Sequence, residues 1–274
     1  MSSAPESDKV FAGVIPDIYD EFLVPMIFEP YARDLAARLA LRPLESVLEL
    51  AAGTGAVTRH LAQTLPASAS IVATDLNQPM LDRASRVGTA RPVEWRQADA
   101  MQLPFGDASF DAVVCQFGVM FFPDKTRAFA EAHRVLRPGG VLLFNVWDRI
   151  EENHFALTVT DALAQVFPEN PPRFMARVPH GYHDRATITR DLAQGGFVAK
   201  PEILTVTAES HAASPQIPAI AYCQGTPLRS EIEARGASRL AEATRVAADA
   251  LTQRFGSGAI EGKIQALVVS VEAS

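Results

Sequence analysis

A strand, a turn of small residues and a helix follow one another without a break at residues 47–65, and this unit constrains the chain most. Val47-Leu48-Glu49-Leu50 is a short apolar strand, and Ala51-Ala52-Gly53-Thr54-Gly55 is a turn with little side-chain bulk. Val57, Leu61 and Leu65 then recur at helical spacing. The unit repeats. Residues 71–74 form a second apolar strand ending at Asp75, and Met80, Leu81 and Ala84 mark the next helix. Residues 93–97 alternate as a third strand ending near Asp99, and residues 110–116 are a fourth. A helix over 124–136 is stopped by Pro138-Gly139-Gly140 and leads into a near-continuous apolar strand at 141–146. Apolar strands alternating with helices predict an α/β fold in three layers, a parallel sheet covered on both faces.

The flanks are less regular. Residues 1–9 read as a loose tail, and residues 15–40 as an aromatic-rich helical segment with a stripe of Tyr31, Leu35 and Leu39, ended by Pro43. After Asp148 the rhythm breaks. Residues 149–183, with Pro168, Pro171, Pro172 and Pro179, read as an irregular or partly helical insertion. A helix over 186–192 is ended by Gly195-Gly196, a strand follows at 197–206, and residues 208–226 read as loop. Residues 228–255 read as one amphipathic helix and 264–271 as a last strand. The late strands favour completion of one sheet over a second domain. The expected division is an N-terminal helical cap at 1–40 and one domain at 41–274. Within that domain lie a core at 45–148 and insertions at 149–183 and 208–260 that cover an acceptor.

Charge narrows the partners. The 274 residues carry 25 Lys and Arg against 32 Asp and Glu, a net charge of −7, and no basic run, which speaks against nucleic acid. Cys115 and Cys223 suit neither a disulfide framework nor a zinc site with paired spacing, so no metal is expected. The start is polar and acid-containing, unlike a secretory signal. No apolar run reaches the roughly 18–20 residues that span a bilayer, and the expected compartment is the cytoplasm.

The small-residue turn lets a backbone approach a ligand closely, at the start of a helix whose N–H groups favour an anion. Asp75 follows Gly55 by twenty residues, at the end of the next strand, where a carboxylate accepts both hydroxyls of an adenosine ribose. A dinucleotide fold wants a third glycine where Thr58 stands, and gives no role to an acid four residues before Gly53. The run from Glu49 to Gly55 instead resembles motif I of the class I, seven-strand S-adenosylmethionine-dependent methyltransferases, with Ala51 in place of the first glycine. Asp75-Leu76 resembles that family's ribose-binding acid and Ala98-Asp99-Ala100 its adenine-binding segment. Residues 110–117, from Phe110 to Gln116 and Phe117, resemble motif IV, and residues 134–140 the approach to the fifth strand. The resemblance covers residues 45–148, nearest to small-molecule methyltransferases of the ubiquinone and menaquinone type. It implies a Rossmann-like, mostly parallel seven-stranded sheet with an antiparallel last strand, S-adenosylmethionine as cofactor and S-adenosylhomocysteine as product.

The chemistry of that cofactor assigns tasks along the chain. Asp75 takes the ribose diol; Asp99, with the Ala100 and Met101 backbone, takes the adenine amine; Leu76 and Met80 sandwich the ring. Backbone N–H groups around Gly53, Thr54 and Gly55, with the Thr58 hydroxyl, suit the tail carboxylate. Carbonyls at Ala51 and Gln116 suit the ammonium. Glu49 steadies the loop or reaches the ammonium through water, and Ala52 belongs to the same loop. In the aromatic run after the fourth strand, Phe117 and its neighbours Met120, Phe121 and Phe122 face the sulfonium or pack in the core.

Methyl transfer is an in-line displacement in which alignment supplies much of the rate. Tyr19, matching a tyrosine that relatives place over the cofactor, and His154, after the fifth strand, are the candidate catalytic groups. His133 reads as scaffold, and His180, Tyr182 and His183 as structural or surface residues. Trp147 lines an acceptor pocket or packs. The helix at 228–255 serves as a lid or as a homodimer contact. Two other readings stay open: an NAD(P)-dependent oxidoreductase on a similar sheet, and an S-adenosylmethionine sensor without turnover.

Overall fold

The computed structural model describes residues 6–236 and 238–274, so residues 1–5 of the expected tail at 1–9 lie outside the described residues. The chain opens with α1 (Ile15–Ile18), widens into π-helical turns over Tyr19–Phe28 and continues as α2 (Glu29–Leu39). Then β1 (Ser46–Glu49), α3 (Ala56–Thr64), β2 (Ser70–Asp75), α4 (Gln78–Val87), β3 (Glu94–Gln97) and β4 (Phe110–Gln116) alternate. The fold continues with α5 (Lys125–Val135), β5 (Leu136–Trp147), α6 (His154–Val166), α7 (Phe174–Arg177) and α8 (Arg185–Gln194). It ends with β6 (Glu202–Ala212), α9 (Gln216–Gln224), α10 (Leu228–Glu233), α11 (Arg239–Phe255) and β7 (Ile260–Glu272).

One seven-stranded sheet results, in the order β3-β2-β1-β4-β5-β7-β6. Strands β1 to β5 pair in parallel, and β7 runs antiparallel to both β5 and β6. This is the Rossmann-like arrangement expected, reversed last strand included. All four residues of β1 are buried, as a central parallel strand requires. Strand order reverses between β1 and β4, so a crevice opens at the carboxyl ends of the strands there. Tyr31, Leu35 and Leu39 of the predicted stripe are fully buried on α2.

Four expectations on the flanks are corrected. Residues 6–9 form a 3-10 turn rather than a loose tail, because the Arg177 guanidinium on α7 bonds both carboxylate oxygens of Asp8. Strand β6 begins five residues later than expected, since Phe197 is buried edge-on against His133, with ring centroids 5.0 Å apart. The supposed loop at 208–226 is the end of β6 followed by α9, and Pro215 and Pro218 sit at the helix start, where a missing N–H costs nothing. The single helix at 228–255 is two helices, broken at Gly236, whose φ of +141° no other residue adopts readily. The apolar face of α11, carried by Ala243, Ala247 and Leu251, is buried inside the chain. Among the described residues no helix is long and apolar enough to cross a membrane.

Candidate active site

Two adjoining cavities lie at the carboxyl ends of the strands. The first, a cleft of about 910 Å³, is floored by the loops after β1, β2, β3 and β4. Ala51 and Gly53 come from the small-residue turn, and Asp75 with Leu76 from the end of β2. Met80 reaches in from α4, and Asp99, Ala100 and Met101 line the far wall. Gln116 and Phe117 close it from β4, and Tyr19 covers it from the N-terminal segment.

The turn holds its shape through backbone that few side chains permit. Gly53 and Gly55 have φ of +56° and +84°, and Ala51 has +51° despite its Cβ. A Cβ on Gly53 would stand 3.5 Å from Met80 Cε and 4.0 Å from Tyr19 Cε1, so the Tyr19 ring lies over the turn. A Cβ on Gly55 would come within 2.9 Å of the Trp95 ring. The turn's own N–H groups are largely used: Ala52 donates to the Thr74 carbonyl, Gly55 to the Ala52 carbonyl, and Gly53 to Asp75 Oδ2 at 2.9 Å. The expected cradle of free N–H groups at Gly53 and Gly55 is therefore absent.

Glu49 and Thr58 sit together on the far side of the turn. The Thr58 hydroxyl donates to Glu49 Oε2 at 2.6 Å behind the turn, and neither lines a cavity. Burial pushes the Glu49 carboxyl up to about 8 against the lowering effects of Thr58 and Arg59. Ala52, Thr54 and Gly55 likewise shape the turn from outside the cleft, and the Thr54 hydroxyl is buried without a partner among the described residues.

Three side chains lining the cleft offer acceptors: Asp75, Asp99 and Gln116. Asp75 accepts from the N–H groups of Gly53 and Asn77 at 2.9 and 2.8 Å, and burial raises its pKa despite those bonds. Asp99 accepts from the Met101 N–H at 2.9 Å. Gln116 Oε1 is buried and has no partner among the described residues. The sequence did not single out Lys9, Phe11, Thr74, Asn77 or Gly118, which also line the cleft. Asn77 Oδ1 accepts from the Phe11 N–H at 3.2 Å and so ties the N-terminal segment across the opening.

The second cavity, about 540 Å³, shares Phe11, Tyr19, Phe117 and Phe121 with the first. Its further wall is aromatic and apolar: Phe28, Trp147, Phe174 and Met175, with His180 and Tyr222. Phe117 stacks on Trp147 with centroids 3.8 Å apart and planes 8° from parallel. Tyr19 stacks on Phe28 at 4.9 Å, and burial beside Asp75 and Asp20 raises its hydroxyl far above the usual range, so Tyr19 is a neutral hydrogen-bonding group and not a base. His154 lies in neither cavity; its Nδ1 accepts from the Lys263 N–H at 3.3 Å on β7, and its ring lies beside Phe255.

Against known proteins, residues 48–144 match the family model described as a methyltransferase domain. A demethylmenaquinone methyltransferase of Deinococcus radiodurans is 36% identical over 139 residues, 49% of this chain and 57% of that protein. A protein of the same name from Thermus thermophilus is 32% identical over 185 residues, covering 63% of this chain and 84% of that one. The chain belongs to the class I S-adenosylmethionine-dependent methyltransferases. The fold agrees. A Haemonchus contortus phosphoethanolamine N-methyltransferase, solved with S-adenosylmethionine, is 17% identical with a TM-score of 0.58, over 95% of this chain and 56% of that one.

The cleft of this methyltransferase fits its cofactor on its own chemistry. S-adenosylmethionine presents donors at the ribose diol, the adenine amine and the tail ammonium. Asp75, Asp99 and the unpartnered Gln116 oxygen offer acceptors along one cleft.

Proposed function

We propose that this chain moves the methyl group of S-adenosylmethionine onto a small, neutral, aromatic acceptor held in the second cavity. The contiguity of the two cavities through Tyr19, Phe117, Phe11 and Phe121 carries the reading. Among the described residues no Asp, Glu, Lys or Arg lines the second cavity, so a charged acceptor would be desolvated there without a partner. Flat aromatic walls suit a flat ring.

The cofactor, when bound, supplies an electrophilic methyl group. The chain's part is to place and shield it. Asp75 accepts from the ribose hydroxyls through its remaining lone pairs, Asp99 from the adenine amine, and Gln116 Oε1 from the ammonium; Leu76 and Met80 pack on the ring. Ala51, Gly53, Ala100 and Met101 supply backbone walls. Phe117 and Tyr19 stand between the cavities and hold the acceptor on line with the methyl group. Glu49, Ala52, Thr54, Gly55 and Thr58 act indirectly, by fixing the turn. Residues 6–39, α7, α9 and α10 make up the cover over the acceptor. The net charge of −7 supports a small molecule over nucleic acid, and two buried free thiols, Cys115 and Cys223, support the cytoplasm. The homodimer expected through α11 has lost its main support, because that helix spends its apolar face within the chain.

Thermal melting with S-adenosylhomocysteine and with NAD tests the reading. A rise with the first alone is expected; a rise with NAD alone overturns it. Turnover with an acceptor panel, read as S-adenosylhomocysteine released, then separates an enzyme from a sensor.

A further inference from the structure

His180 is 4% exposed and lies on the wall of the aromatic cavity. Its Nδ1 stands 2.8 Å from the Asp148 carbonyl oxygen, which only accepts, so Nδ1 carries the proton. In the neutral ring Nε2 is then a bare acceptor, and it has no hydrogen-bond partner among the described residues. Burial keeps the ring neutral, holding its pKa down at about 4; the groups acting on it are the Asp148 carbonyl and carboxylate, Glu151 and His183. The Asp148 carboxylate is itself engaged, accepting from Gln265 Nε2 at 2.7 Å. On the same cavity wall stands Tyr222, a residue 3% exposed, whose hydroxyl also has no hydrogen-bond partner among the described residues. The cavity thus holds one unpartnered acceptor and an unpartnered hydroxyl donor, while Asn153 and Thr226 on its wall are already hydrogen-bonded within the chain. Neither atom is among the fully buried unpartnered ones, so each keeps accessible surface, and on a cavity wall both are open to a ligand that bonds them together.

We propose that His180 is a catalytic residue that accepts a hydrogen bond through Nε2 from a hydroxyl on the aromatic acceptor, and takes its proton as the methyl group arrives. The proposal rests on the second cavity being the acceptor site. A hydroxyl suits the pair because it donates to His180 and accepts from Tyr222 at once. The acceptor oxygen forms its bond to the methyl carbon as the carbon–sulfur bond breaks, and that electron pair stays on sulfur. The hydroxyl proton passes to Nε2, and the imidazolium then releases it to solvent. Fixed by the Asp148 carbonyl, the ring has one orientation in which to do this.

Calorimetric binding of 2-naphthol and of its methyl ether, 2-methoxynaphthalene, tests the contact without turnover. In the His180→Leu protein the ratio of naphthol to ether affinity is expected to fall about tenfold while ether affinity is kept, as loss of one buried hydrogen bond predicts. His180→Gln, which keeps an amide oxygen, is expected to restore part of the ratio. A ratio unchanged in His180→Leu overturns the role of His180 and leaves the acceptor site standing. Failure of both probes to bind the wild-type protein overturns the acceptor site, and the proposal with it. Wild-type protein labelled with ¹⁵N-histidine reads the contact with no substitution at all. Naphthol, and not the ether, is expected to shift the His180 Nε2 resonance, and equal shifts overturn the proposal.

Discussion

The two cavities share four aromatic side chains and little else. The cofactor cleft is made largely by chain that turns immediately after parallel strands, and its polar lining combines the carboxylates of Asp75 and Asp99, the amides of Asn77 and Gln116, Thr74, Tyr19, Lys9 and backbone. The acceptor cavity is made largely by segments outside that alternation: the N-terminal helices, α7 and the α9–α10 region. Its walls are mainly aromatic and aliphatic, and among the described residues no Asp, Glu, Lys or Arg lines them. A ligand with fixed polar features can be held by a few groups at set positions on a rigid sheet. An apolar ligand is held by shape, which any packed set of side chains can provide. The contrast predicts that substitutions in one cavity leave ligand binding in the other intact.

The largest effect is expected at Phe174, 1% exposed on α7 and facing the acceptor cavity. Phe174→Ala removes a buried ring and is expected to cost about 3–5 kcal/mol of stability. Below its melting transition, the variant is expected to keep its S-adenosylhomocysteine affinity within about threefold, by calorimetry, since the cleft is carried by the sheet. A joint loss of affinity breaks the separation of the two regions.

Glu49 probes the cleft side through pH. Its carboxyl is held up to about 8 in the folded chain by burial, against an ordinary value of 4.5. Below pH 4.5 it is protonated in both states and costs nothing. Between there and about pH 8 the unfolded chain ionises freely while the folded one resists, so stability is lost as pH rises. Glu49→Gln is expected to remove that loss, with the gap to wild type widening by on the order of 3 kcal/mol between pH 5 and 9. Urea midpoints that stay parallel across that range overturn the burial argument. Asp75→Ala acts on the ligand directly. It removes an acceptor from the cleft and unties Gly53 and Asn77, and is expected to weaken S-adenosylhomocysteine binding about 10–100-fold. Affinity for 2-methoxynaphthalene is expected not to change; if it falls equally, the cavities are one site.

The same contrast decides what could be read before any coordinates. Strand–turn–helix alternation has a period, so β1 to β5, the reversed last strand and the positions of Asp75, Asp99 and Gln116 follow from residue spacing and family resemblance. The cover has no period. Asp8 reads as tail because its partner, Arg177, is 169 residues away. Two prolines at 215 and 218 read as loop until their place in the first turn of α9 is known. His180 reads as a structural or surface residue because nothing nearby in sequence announces the Asp148 carbonyl that fixes its ring. Even within the motif the local rule overreached. The N–H groups expected to face a ligand at Gly53 and Gly55 are spent on Asp75 and the Ala52 carbonyl, a use that only the folded turn reveals.

The smallest effect is expected where this chain departs from the motif it resembles. Ala51 holds φ at +51°, a region that costs a residue with a Cβ about 1–2 kcal/mol. Its Cβ faces Gly118 on the loop after β4, where an added Cβ would come within 2.5 Å of Ala51 Cβ and 2.7 Å of Cys115 Sγ. The two backbones thus approach so closely that one methyl group fits between them. Ala51→Gly relieves the dihedral, loses that contact and frees the unfolded chain, which offsets about 0.5–1 kcal/mol of the gain. The net expectation is a small stabilisation, up to about 1 kcal/mol in the urea midpoint, with S-adenosylhomocysteine affinity unchanged. Gly118→Ala alone is expected to destabilise, and to destabilise less in the Ala51→Gly background, where the nearer clash is gone. Additive effects would mean that the two positions do not share the space, and that the alanine is held in its left-handed conformation by the cleft side alone.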